Sequence, residues 1–62
     1  MVSTGDILHY LSGVSFPIRK DGLLSRAHSN NAPQDIMDVL ERLPDRVYRS
    51  TADINIAVSD IE

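Results

Sequence analysis

Cysteine and tryptophan are absent from this 62-residue chain, and glycine and proline number three each. Without cysteine, neither a disulfide framework nor a thiolate metal site can stabilise so short a chain. Aromatic surface is limited to Tyr10, Phe16 and Tyr48. No apolar run approaches the ~20 residues that a membrane helix needs. The start, Met1-Val2-Ser3-Thr4-Gly5-Asp6, lacks the positive region of a signal peptide. These absences point to a cytoplasmic protein that does not engage the membrane. Positive charge is also scarce, with six basic against nine acidic residues and a net charge of −3, whereas nucleic-acid binders carry a basic stripe. For a chain this short, burial and the entropy of ordering nearly cancel. Almost every apolar side chain must therefore reach the core, or a partner must add burial. A large substrate pocket would consume core that the chain cannot spare.

What is present is a series of short apolar segments with helical spacing, separated by turn signals. Ile7, Leu11 and Val14 recur at i, i+4, i+7, with Leu8 beside them, and predict a first helix over residues 4–12. Ser3 and Asp6 stand in capping-box spacing before it, and Gly13 supplies a left-handed stop. Phe16-Pro17 reads as extended, because proline disfavours helix at the residue before it. A second helix is expected over 20–29, with Leu23, Leu24 and Ala27 inward; its interior Gly22 costs about 1 kcal/mol relative to Ala. Asn30-Asn31 ends it. Pro33 fits the first turn of a third helix, in which Ile36, Leu40 and Leu43 form the stripe, with Met37 and Val39 at its margins. Pro44 terminates that helix, and Val47-Tyr48 is a short extended piece. The corner Leu43-Pro44-Asp45-Arg46-Val47-Tyr48 is expected to be structural, with Leu43 and Val47 in the core and Asp45 accepting nearby backbone N–H groups.

The last segment is ambiguous. Ile54, Val58 and Ile61 fit a helix, whereas Ile54, Ile56 and Val58 alternate as a strand would. A lone strand would have only Val47-Tyr48 to pair with, and Ser50 and Asp53 repeat capping-box spacing, so a helix over 51–60 is expected. The fold class that follows is all-α: a compact orthogonal bundle of four short helices, one domain over residues 1–62. Its expected core is Leu11, Phe16, Leu24, Ala27, Ile36, Leu40, Leu43, Val47, Ile54 and Val58.

Chemistry-bearing constellations are weak. His9 and His28 fall on different helices with no third ligand in register, so no metal site is expected. Ser3, Ser12, Ser29 and Ser50 stand at helix ends, where capping accounts for them. No nucleophile elbow or glycine-rich phosphate loop is present. Neither an enzyme, a cofactor nor a small-molecule substrate is expected. Helices two and three, joined at Asn31, have helix-turn-helix dimensions, which makes nucleic-acid binding the alternative reading. However, the outward residues of helix three are Gln34, Asp35, Asp38, Glu41 and Arg42, and three of those five are acids that would face phosphates. The favoured reading is a non-enzymatic module that binds another protein or a second copy of itself. It rests on Ile54 and Ile56, which lie about 200° apart on a helix and cannot face one core. Tyr10, Tyr48 and Ile56 form the candidate interaction surface, Ile56 pointing to water and the two tyrosines extending the patch. The competing reading is that single exposed apolar side chains are ordinary.

An ordered set of segments also resembles a small bacterial family, domain of unknown function 2795. The set comprises Tyr10 to Pro17 (YLSGVSFP), Lys20 to Ala27 (KDGLLSRA), Asn31-Ala32-Pro33, Leu40 to Tyr48 (LERLPDRVY) and Ser50 to Ile54 (STADI). The resemblance spans about residues 7–58 and implies a compact helical domain, with no catalytic residue, cofactor or substrate attached. Three positions depart from it. Arg19 stands where Ser or Thr is more usual, Gly22 where a polar helix former is, and Ile56 where a polar residue is.

Overall fold

A computed structural model describes residues 2–61, and among them the chain forms four helices and one two-stranded sheet. Helix α1 (Thr4–Tyr10) starts where the Ser3 hydroxyl accepts the Asp6 N–H at 3.1 Å. It ends earlier than expected, because Leu11 to Gly13 form a turn in which Gly13 has φ 90°. The Phe16–Pro17 peptide bond is cis, and strand β1 (Ile18–Arg19) follows it. Helix α2 (Lys20–Ser29) has the expected bounds and stops at Asn31, which takes the left-handed conformation with φ 61°. Pro33 is the cap rather than the first turn of α3 (Gln34–Glu41). After Pro44 come β2 (Val47–Tyr48) and α4 (Thr51–Ile61). The ambiguous last segment is thus a helix.

The chain is mostly helical, but it is not purely so. β1 and β2 pair antiparallel, Ile18 opposite Tyr48 and Arg19 opposite Val47. Extended backbone must place its N–H and C=O groups somewhere, and the two extended pieces satisfy each other across the fold. The Val47-Tyr48 pair therefore has a partner that local periodicity does not reveal. The same pairing accounts for Gly22. A Cβ at that position would stand 2.7 Å from Ile18 Cγ1 and 2.9 Å from Cδ1, so β1 packs where only glycine leaves room.

Two side chains tie the helices end to end. The Asn30 amide donates to the Tyr10 and Ser12 carbonyls at 2.8 and 3.1 Å, and Lys20 Nζ donates to the Glu41 carbonyl at 2.6 Å. Both satisfy carbonyls that a helix C-terminus leaves unbonded. The core consists of Ile7, Leu11, Leu23, Ala27, Ile36, Val39, Leu40, Leu43, Tyr48, Ile54, Ala57 and Val58. Three expected core residues need correction. Phe16 and Leu24 are only half-buried, since Leu23 and Ala27 take the inner line of α2. Val47 is 38% exposed, because successive strand residues point to opposite faces and Tyr48 occupies the inner one.

Candidate functional site

The rotation of α4 is set by its cap. Ser50 Oγ accepts the Asp53 N–H at 3.4 Å, and Asp53 Oδ2 accepts the Arg49 N–H at 2.8 Å. With the first turn held, Ile54, Ala57 and Val58 are buried and Ile61 is half-buried. Ile56 then faces outward and is 58% exposed. Ala52 and Asp60 stand one turn to either side of it, with Asn55 and Ser59 adjacent, all exposed.

The two tyrosines do not join this face. Tyr48 is fully buried, which corrects its assignment to the surface: its ring fills the core, and its hydroxyl donates to the Pro44 carbonyl at 2.5 Å. The Arg46 guanidinium lies 5.5 Å from the ring centroid. Burial raises the phenol above the ordinary tyrosine value of 10.0, and Arg46 offsets only part of that. Tyr10 is half-buried, with the His9 ring edge-on at 5.1 Å. It lines a groove of about 260 Å³ with Asp6, Asp35 and Ile36, between α1 and the start of α3.

The neighbour that sequence reasoning missed is Val47. It and Ile56 are the exposed large hydrophobic residues among those described. Strand alternation is the signal that could have found it, because Val47 and Tyr48 cannot both face inward. The corner around Pro44 is otherwise as expected at Leu43, which is buried. Asp45, however, meets Arg19 at 4.0 Å, both side chains being solvent-exposed, a pair of little energetic weight.

A second groove, of about 340 Å³, runs between the turn after α1 and the face of α2 carrying Gly22, Ser25, Arg26 and Ser29. The Arg26 guanidinium lies over Gly13, 3.6 Å from where a Cβ would stand. It thus sits at the C-terminal end of α1, where a cation suits the exposed carbonyls. His9 and His28 are exposed, and among the described residues no group of three or more His, Cys, Asp or Glu could hold a metal ion. No helix among them is long and apolar enough to cross a membrane. On α3, Gln34, Asp35, Asp38, Glu41 and Arg42 are all exposed, and the Gln34 amide donates to Asp38 at 2.8 Å.

No curated protein and no solved structure matches the chain. The sequence profile of one family matches residues 2–55. That match begins before the span read from the motifs and stops short of Ile56, so the unusual isoleucine lies just outside it. Arg19 and Gly22 lie within it, and the β1–β2 pairing and the packing of Ile18 give both a structural setting. The chain belongs to the family described as protein of unknown function (DUF2795).

Proposed function

We propose that this is a non-enzymatic, cytoplasmic, one-domain module that binds another protein through the outer face of α4. The observation that carries the reading is the 58% exposure of Ile56 on a helix whose other large apolar side chains turn inward. A chain with so little core gains from keeping every isoleucine dry, and Ile56 is kept wet. Val47 supports the reading, because it adds a second exposed apolar group on β2, which packs against α4.

Nucleic acid is a poor partner for α3, the helix that would have to read it. The exposed side of α3 offers Asp35, Asp38 and Glu41 to any backbone that approached it. Labelled duplex at low salt is expected to stay free. Sub-micromolar binding that weakens steeply with salt would favour the helix-turn-helix alternative instead.

The test is affinity capture with the wild-type chain and with Ile56→Asn as bait, each first shown to melt at the same temperature. Retention of a protein by wild type that Ile56→Asn fails to retain is expected, whether that protein is a second copy or another chain. Identical profiles from the two baits would overturn the reading. So would a large drop in the melting temperature of Ile56→Asn, which would make Ile56 a core residue.

A further inference from the structure

We propose that the groove between the turn after α1 and the side of α2 is a site for a small oxyanion, a carboxylate or phosphate carrying a short apolar body. No residue of α4 lines this groove, and its occupancy does not depend on what α4 binds.

Its lining is selective in charge. Gly22, Ser25, Arg26 and Ser29 recur at i, i+3, i+4 and i+7, the spacing of one helical face. The turn after α1 supplies Gly13, Val14 and Ser15, and β1 supplies Ile18. Acidic residues outnumber basic ones nine to six in this chain. Among the described residues, however, no carboxylate lines the groove and one guanidinium does.

That guanidinium is placed but not used by the fold. Arg26 Nη1 and Cζ lie 3.6 and 3.7 Å from where a Gly13 Cβ would stand, close over the turn. The carbonyls that end α1 are the natural acceptors there, and they are already taken. The Asn30 amide donates to those of Tyr10 and Ser12. Those of Leu8, His9 and Leu11 accept the N–H groups of Leu11, Ser12 and Val14. Among the described residues Arg26 has neither an ion pair nor a hydrogen bond. A guanidinium offers five N–H donors in a planar fork that matches a carboxylate or a phosphate.

The hydroxyls beside it are free in the same sense. Ser3 and Ser50 cap helices with their side chains, whereas those of Ser15, Ser25 and Ser29 bond to no other described residue. They add donors around the Arg26 fork. Val14 and Ile18 are half-buried against the core and give the groove an apolar floor. The groove holds about 340 Å³, at the small end of small-molecule sites. Ser25, Arg26 and Ser29 are exposed, so the ligand stays partly wet and binds in the millimolar range.

The test is a titration of the full chain, followed by amide proton–nitrogen spectra, with inorganic phosphate, acetate and butyrate, and with sodium chloride at matched ionic strength. Saturable shifts at Gly13, Ser15, Gly22, Ser25, Arg26 and Ser29 are expected with the oxyanions and not with chloride. The head group is the one, phosphate or carboxylate, that saturates at lower concentration. Butyrate should bind several-fold more tightly than acetate, because its extra methylenes lie on Val14 and Ile18. Arg26→Gln should weaken binding about tenfold, and Arg26→Lys, which keeps the charge and loses the fork, should fall between. Arg49→Gln, an exposed cation outside the groove, should bind as wild type does. Melting curves establish that each variant is folded. Linear shifts that chloride reproduces overturn the proposal. So does equal weakening by Arg26→Gln and Arg49→Gln, which would reduce the effect to net charge.

Discussion

Gly22 and Tyr48 show how single residues in this chain answer to tertiary neighbours. Alanine normally stabilises a helix interior relative to glycine by about 1 kcal/mol. At Gly22 a Cβ would meet Ile18 Cγ1 at 2.7 Å, and a β-branched side chain held in a strand has little freedom to withdraw. Gly22→Ala is therefore expected to lower the melting temperature, and to do so less, or not at all, in an Ile18→Ala background. A rise in the single variant would mean that β1 does not press on α2. Tyr48 titrates above the ordinary tyrosine value because burial disfavours the phenolate. Its protonated form is thus favoured in the fold. The contribution to stability is complete below the unfolded value, about 10, and is lost as pH rises through the higher folded value. Melting temperature should fall as pH rises through about 10 and beyond, and Tyr48→Phe should flatten that fall. The outward position of Ile56 was legible from its angular distance to Ile54. The inward position of Tyr48 was not, because a tyrosine with a polar tip fits a surface and a core equally well until the Pro44 carbonyl is seen beside its hydroxyl.

Elements were legible wherever their boundaries are local chemistry. The Ser3 and Ser50 caps, the left-handed Gly13 and Asn31 and the stop before Pro44 fix the four helices, and α2 has the expected bounds. The β1–β2 pairing joins residues about thirty positions apart, Ile18 to Tyr48, and no periodicity carries that information. The ties from Asn30 to α1 and from Lys20 to α3 are long-range in the same way. Leu43 lies where these parts converge, buried between α3 and the corner that leads to β2. Leu43→Ala is expected to cost about 2–5 kcal/mol, which is most of what so small a core supplies. Chemical denaturation should find the variant largely unfolded in buffer. A midpoint close to wild type would mean that the corner does not hold the core.

At the scale of the whole molecule, the chain completes a small core and leaves Val47 and Ile56 as the exposed large hydrophobic residues among those described. The sequence pointed to a contact surface, but it placed Val47 in the core and Tyr48 on the patch, the reverse of their positions in the fold. That error is one residue of strand register. The most direct test compares amide proton–nitrogen spectra of wild type and of Ile56→Asn, each alone and with the protein that the wild-type bait retains. Shifts are expected at Ala52, Ile56, Ser59 and Asp60 of wild type, with the amides of α2 and α3 unmoved and the Ile56→Asn spectrum unchanged by the addition. An equal response of the two chains, or shifts centred on the groove beside Tyr10, would contradict the reading of the outer face of α4 as the contact surface.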